Sequence, residues 1–255
     1  MAFGAPPKTT RKVIPIKKIT SWSFSRLSDY TQCPLKAKLK HIDRIKEPPN
    51  AAMDRGSAIH TQAEHYITAL VPARLPSDSP LRPIQAELKR LRKRFLEHPE
   101  TITVEDTWAF RSDWTRTTYD DWNGCAVRIK LDCAHFKDDR TLVVTDWKTG
   151  KYRPEQQTEY HEQLDLYALG ALLWFPEIET VIPRLVYVDH GIIWPPEDKP
   201  IIYTRAQLPM LLKKWEKRVK PMLSDTIFAP RPNNFCHWCF FRAANKENGG
   251  GQCKY

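Results

Sequence analysis

The hydrophobic period of this chain changes near residue 101, and that change limits it to folds that mix helices with a sheet. Before it, apolar residues recur every three or four positions, as in Phe24, Leu27 and Tyr30, then Ile59, Ala63, Tyr66, Ile67 and Leu70, then Ile84, Leu88, Leu91 and Phe95. One apolar stripe per turn is the mark of an amphipathic helix. After it, 102–110, 126–136 and 141–147 are β-rich runs separated by Asp, Asn and Gly clusters, consistent with a meander. The helical period returns for a long helix over 154–174. Strand candidates at 180–188 and 192–203 and a helix over 206–219 follow. This order predicts the α/β class, a mixed β-sheet core flanked by helices.

Punctuation divides the chain further. Residues 1–19 read as a basic flexible arm, because Pro6, Pro7 and Pro15 interrupt any helix. Ser21 or Ser23 is placed to cap a first helix, Pro34 separates it from a second over 35–42, and Pro48 and Pro49 end that one. A third helix is expected over 54–70, then a proline-rich loop over 72–83. With 255 residues, one domain over 20–255 is the simplest packing. Its parts are a helical portion at 20–100, an α/β core at 101–205, and a helix with a cysteine-bearing tail at 206–255.

Charge narrows the partners. Forty Lys and Arg against 30 Asp and Glu give +10. Residues 1–50 alone hold 11 basic and 3 acidic side chains beside Trp22, Phe24 and Tyr30. Such a segment suits a polyanion, since phosphate contacts release counterions, and equally suits a solvated tail. Lys17 and Lys18 in the arm, and Lys89, Arg92 and Lys93 on the basic face of helix 84–97, are the candidate nucleic-acid contacts. No apolar run approaches the ~20 residues that span a bilayer. The N-terminus lacks the apolar stretch of a secretory signal, so a cytoplasmic location without membrane contact is expected.

In 128-RIKLDCAHF-136, polar Arg128, Lys130 and Asp132 alternate with Val127, Ile129 and Leu131, so Asp132 has a defined face of a strand. In 141-TLVVTDWKTG-150, Asp146 and Lys148 share a face. Two carboxylates and an ammonium meeting at the end of a sheet suit metal-assisted phosphodiester hydrolysis. The carboxylates hold Mg or Mn, and the ion polarises the phosphate and acidifies a water. A lone D-x-K pair is weak evidence, since this composition yields about one by chance. The E-x-K pair Glu87 and Lys89 reads as the solvent face of a basic helix. The company of Asp146 and Lys148 is what distinguishes them. Asp132 lies on the neighbouring strand, and the following helix carries Gln163 and Tyr167 at i, i+4.

The ordered run G-S-A-I-H (Gly56 to His60), Asp132, D-W-K-T-G (Asp146 to Gly150) and Q-L-D-L-Y (Gln163 to Tyr167) resembles the RecB-type branch of the PD-(D/E)XK nuclease superfamily. The resemblance covers about residues 20–170 and implies a restriction-endonuclease-like fold. It also implies that His60, Asp132, Asp146 and the Trp147 carbonyl ligate a divalent metal. Lys148 becomes the catalytic lysine, and Gln163 and Tyr167 contact substrate or brace the site. Glu105 matches a Glu often found on the first strand.

The six cysteines are Cys33, Cys125, Cys133, Cys236, Cys239 and Cys253. In a reducing compartment a cysteine cluster points to metal rather than disulfides. Cys33 together with Cys236, Cys239 and Cys253 resembles the cysteine set of RecB-type nucleases with a 4Fe-4S cluster, as in AddB-like, CRISPR-associated and phage exonuclease members. The resemblance implies N- and C-terminal segments joined at this metal site. The last spacing is wide, with 246–252 looking inserted. Structural Zn is the alternative, with His237 a substitute ligand. Cys125 and Cys133 fall on strands and read as small buried hydrophobes.

The function implied is a divalent-metal-dependent deoxyribonuclease, an exonuclease on single-stranded DNA or duplex ends in recombination, repair or replication, in a bacterial or phage-infected cytoplasm. No Walker-type loop is present, so a recombination or replication partner protein is expected to supply ends. The alternative is a non-catalytic DNA-binding or assembly module that keeps fold and cluster. Loss of a carboxylate or the Lys would mark it, and neither is lost.

Overall fold

The computed structural model describes residues 18–255; Lys17 and the rest of the arm before it lie outside them. The described helices are α1 (Phe24–Gln32), α2 (Pro34–His41), α3 (Ala51–Thr68), α4 (Gln85–Glu97), α5 (Gln157–Trp174) and α6 (Leu208–Ser224). The strands are β1 (Ile102–Phe110), β2 (Arg116–Thr117), β3 (Val127–Asp138), β4 (Thr141–Lys148), β5 (Thr180–Tyr187), β6 (Ile192–Trp194) and β7 (Tyr203–Thr204). They form one mixed sheet in the order β2-β1-β3-β4-β5-β6, with β7 also beside β5. β4 and β5 pair in parallel, because α5 carries the chain back between them. The other pairs are antiparallel.

Local chemistry accounts for the boundaries. Ser23 caps α1 by accepting the Arg26 amide, Asn50 caps α3, and Pro34 opens α2 where its missing N–H costs nothing. One expected strand is corrected: 192–203 does not form a single strand. Pro195, Pro196 and Pro200 have no N–H to donate to a ladder, so pairing stops at Trp194 and resumes only at Tyr203. The placement of Glu87 is also corrected. It is buried, not solvent-facing, and its carboxylate pairs with Arg184 of β5 and Arg90 of its own helix.

Helices cover both faces of the sheet. On one, α1, α5 and α6 pack over Trp108, Phe110, Leu131 and Val144. On the other, α3 and α4 enclose Ile102, Cys133, Trp147 and Val186. Side chains two apart on a strand should share a face. Yet Ile102 and Val104 face the second core while Trp108 and Phe110 face the first. On β3, Ile129 and Leu131 face the first core and Cys133 the second. The reversal falls at Glu105, whose φ of 51° is left-handed and rare for a residue with a Cβ. Ladder pairs Val104↔Cys133 and Asp106↔Leu131 flank it. Glu105 and Asp132 therefore sit abreast at the one place where both strands change sides.

Candidate active site

Asp132 and Asp146 come from neighbouring antiparallel strands, one residue past the Cys133↔Thr145 pair that ends the β3–β4 ladder. The Trp147 amide, left without a strand partner on that side, donates to Asp132 Oδ2 at 2.6 Å. The other oxygen of Asp132 lies 3.1 Å from His60 Nδ1. Glu105 Oε1 lies 3.2 Å from the same nitrogen, and Lys130 Nζ is 3.1 Å from Glu105 Oε2. His60, Glu105 and Asp132 thus offer three ligand atoms within 4.8 Å of one another.

Asp146 is held by a different set. Gln163 Nε2 donates to its Oδ1 at 3.1 Å, and the Tyr167 hydroxyl donates to the same oxygen. Lys148 Nζ is 2.7 Å from Oδ2. That oxygen is buried and makes no hydrogen bond of good geometry, which leaves a lone pair open to a cation. Spacing explains the arrangement: Asp146 and Lys148 share a strand face, and Gln163 and Tyr167 share a turn-to-turn face of α5. His60, Asp132, Asp146, Lys148, Gln163 and Tyr167 line one cavity of about 440 Å³ together with Lys130, while Glu105 does not line it.

Burial and the neighbouring charge of Asp146 push the Asp132 carboxyl up to about 6, against the pull of His60 and the Trp147 amide. Burial works against charge on His60, but its hydrogen bonds to Asp132 and Glu105 outweigh that and raise it to about 10. Burial and the Asp146 carboxylate raise Tyr167, keeping it a hydrogen-bond donor. Two carboxylates converging with one imidazole, and the Asp146 carboxylate lining the same cavity, form an oxygen-rich donor set that fits Mg or Mn, with imidazole favouring Mn.

The structure thus brings together His60, Asp132, Asp146, Lys148, Gln163 and Tyr167. Trp147 contributes its amide, while its indole is buried in the second core with its ring 6.2 Å from that of His60. Lys89, Arg92 and Lys93 are on α4 and do not line this cavity. Arg92 donates to the carbonyls of Tyr66 and Val71 at 2.8 and 2.6 Å, and Lys93 lies 4.0 Å from Glu97. Lys18 is exposed at the edge of a second groove. Lys130 was not among the expected site residues, although its alternation with Asp132 already put it on the right face.

Cys33, Cys236, Cys239 and Cys253 line a single small apolar pocket with Leu35 and Phe241, and His237 does not line it. The amides of Arg231 and Asn233 point at the sulfurs of Cys33 and Cys236, each at 3.4 Å. The wide last spacing has a physical cause. A 3-10 segment, Ala243–Asn248, and left-handed Gly249 and Gly251 fold the chain back, so that the Cys253 amide reaches the Phe241 carbonyl at 2.8 Å. Cys125 and Cys133 are both buried, Cys133 within the second core and Cys125 beside a groove lined by Arg26 and Arg128.

The profile of the PD-(D/E)XK nuclease superfamily matches residues 21–244. The chain belongs to this superfamily. It is similar to the Gene 69 protein of Mycobacterium phage L5, 38% identical over 65 residues, which are 26% of this chain and only 21% of that protein. A candidate exonuclease from Eubacterium rectale has a structure that aligns with a TM-score of 0.48 and 13% identity, over 90% of this chain and 88% of its own. An alkaline exonuclease, LHK-Exo, from Laribacter hongkongensis aligns at 0.35 and 15% identity, over 82% and 89%. No helix among the described residues is long and apolar enough to cross a membrane.

Proposed function

We propose that this chain is a divalent-metal-dependent deoxyribonuclease acting as an exonuclease at DNA ends, in recombination, repair or replication. The observation that carries this reading is the Asp146–Lys148 pair, held by Gln163 and Tyr167 in the same cavity as Asp132 and His60, with Glu105 beside them. His60, Glu105, Asp132 and Asp146 would hold Mg or Mn, with the Trp147 carbonyl as a further oxygen. When bound, the ion polarises the phosphate and acidifies a water. Lys148 orients that water and offsets charge building on the phosphate. Gln163 and Tyr167 fix Asp146 so that its second oxygen stays turned toward Lys148. Lys130 keeps Glu105 ionised beside His60.

The four-cysteine pocket is read as the place of a 4Fe-4S cluster. Its apolar walls and the Arg231 and Asn233 amides aimed at the Cys33 and Cys236 sulfurs support that reading, with structural Zn on the same four thiolates as the alternative. Likeness of a 65-residue segment to a mycobacteriophage protein supports a phage setting.

Digestion of end-labelled single- and double-stranded DNA, beside closed circles, in Mg, Mn or EDTA tests the reading. Label should be released from ends with Mn at least as fast as with Mg, closed circles should persist, and EDTA should stop release. Cleavage of closed circles would overturn the exonuclease mode. No cleavage with either metal would overturn the nuclease.

A further inference from the structure

Two grooves share lining residues with the catalytic cavity, and their charges differ. One, of about 980 Å³, shares Arg128 with the cavity and runs between residues 18–26, 40–44 and the loop that joins β1 to β3. It carries five cationic side chains, Lys18, Arg26, Lys40, Arg44 and Arg128, of which Lys40 is paired with Asp29 and Glu47, against the single lining carboxylate Asp43. Among the described residues Arg26, Arg44 and Arg128 have no carboxylate within ion-pair distance. Asp43 is already engaged by Lys38. The other groove shares Phe24, Ser28 and Glu159 with the cavity and sets Glu155, Glu159 and Glu162 against Arg218 and Arg231. Arg218 is spent on Glu162. A polyanion leaving the cavity is drawn to the first side and repelled from the second.

The cationic groove also presents two large aromatic rings to solvent. Trp122 is 79% exposed and Tyr119 51%. They stand on a braced loop rather than a loose one. Asp121 accepts from Thr117 Oγ1 at 2.6 Å and the Gly124 amide at 2.8 Å, and it pairs with Arg111 at 2.7 Å. A Cβ at Gly124 would strike that same carboxylate. Arg128 donates to the Tyr119 carbonyl and lies over its ring, 5.0 Å from the centroid. Fixed, exposed rings beside unpaired guanidinium groups are the elements of a single-strand platform. Bases offer their faces to a protein ring only when unpaired, while the cations track phosphates.

We propose that this groove holds the uncleaved body of a single-stranded nucleic acid, with a base stacked on Trp122 and phosphates on Arg26, Arg44 and Arg128, so that the strand end reaches Asp146 and Lys148. The proposal rests on the nuclease reading and adds strand preference to it. The test is binding in EDTA, by anisotropy, of a labelled single-stranded thymidine 15-mer and of a blunt duplex of the same length. Trp122→Ala should weaken the single strand about tenfold and the duplex less than twofold, and Trp122→Phe should restore the loss. Trp122 is exposed, so equal melting temperatures will verify that the variants fold. Arg44→Gln should lower the salt slope of single-strand binding by about one. Hydrolysis of bis(p-nitrophenyl) phosphate, too small to reach the groove, should be unchanged by Trp122→Ala. Single-strand affinity within twofold of wild type, or equal weakening of strand and duplex, overturns the proposal. So does an unaltered salt slope for Arg44→Gln. If the wild type cleaves neither the small ester nor DNA in Mg or Mn, the nuclease reading fails, and the binding comparison still decides the groove.

Discussion

At the scale of single residues, the site divides into groups that meet the substrate and groups that hold them. Lys148→Ala and Asp146→Ala should each reduce cleavage by at least about 100-fold, since both groups act on the reacting phosphate or its water. DNA affinity should stay within a few-fold, because phosphate contacts spread over the basic surface supply most of it. Equal turnover of either variant and wild type would remove these residues from the site. Three residues beyond Asp132 on β3 and outside the cavity, His135 sits largely buried with its Nδ1 unpartnered, and burial together with Arg184, Arg94 and Arg90 pulls it down to about 3. Its sign is fixed: the folded protein keeps it neutral while the unfolded chain protonates it below about 6.5. Stability is therefore fully present above about pH 6.5 and is lost as pH falls toward about 3. At pH 5 the loss should be about 2 kcal/mol, one pKa unit being about 1.4 kcal/mol. Urea midpoints at pH 7 and pH 5 should move much less in His135→Leu than in wild type; equal movement would show that His135 does not carry the acid lability. Alternation and i, i+4 spacing assign faces, which is why Asp132, Asp146, Lys148, Gln163 and Tyr167 could be read together from sequence and do line one cavity, whereas His60 was reached through the family resemblance. The sequence did not disclose His135, because nothing local reports what packs over a strand residue.

At the scale of elements, legibility followed the clarity of the period. β1 occupies the β-rich run 102–110, and α4 differs by one residue at its start. The run 192–203 misled because apolar content outweighed its prolines, and Glu87 misled because a charged residue was assumed to seek water. Its partner Arg184 lies 97 residues away, beyond any local pattern. The same long reach governs Arg92. Its guanidinium closes carbonyls at and beyond the C-terminal turn of α3 and lies over the Tyr66 ring, so it ties α3 to α4. Arg92→Ala should cost about 1.5–3 kcal/mol, the range for hydrogen bonds with a charged partner. Lys89→Gln and Lys93→Gln, on the exposed part of α4, should leave the denaturant midpoint unchanged. If those two lysines touch phosphates, each substitution should lower the salt slope of DNA binding by about one. A midpoint insensitive to Arg92→Ala would mean that these carbonyls find water instead.

At the scale of the whole molecule, the junction of α1 and α2 and the C-terminal tail are drawn to one place, beside a helix that lines the catalytic cavity. Cys33 ends α1 and begins α2, while Cys236, Cys239 and Cys253 arrive from the far end. α1 also contributes Phe24 and Ser28 to the catalytic cavity, so a metal that fixes Cys33 fixes one wall of that cavity. Metal-ligand bonds between such distant residues restrain the unfolded chain as a long-loop crosslink does, and their free energy becomes folding free energy. Protein purified without oxygen should be brown, with iron and sulfide in equal amounts near four per chain; a zinc protein would be colourless. Cys33→Ser should lose colour, melt at lower temperature and become less soluble before it loses chemistry, because no cysteine belongs to the nuclease constellation. Activity of the surviving folded fraction should fall modestly, through the loosened α1 wall, with Asp146 and Lys148 untouched. A metal-free Cys33→Ser protein that melts with the wild type and cleaves at its rate would show that the four cysteines hold no metal and that the α1–α2 junction and the C-terminal tail meet through apolar packing alone.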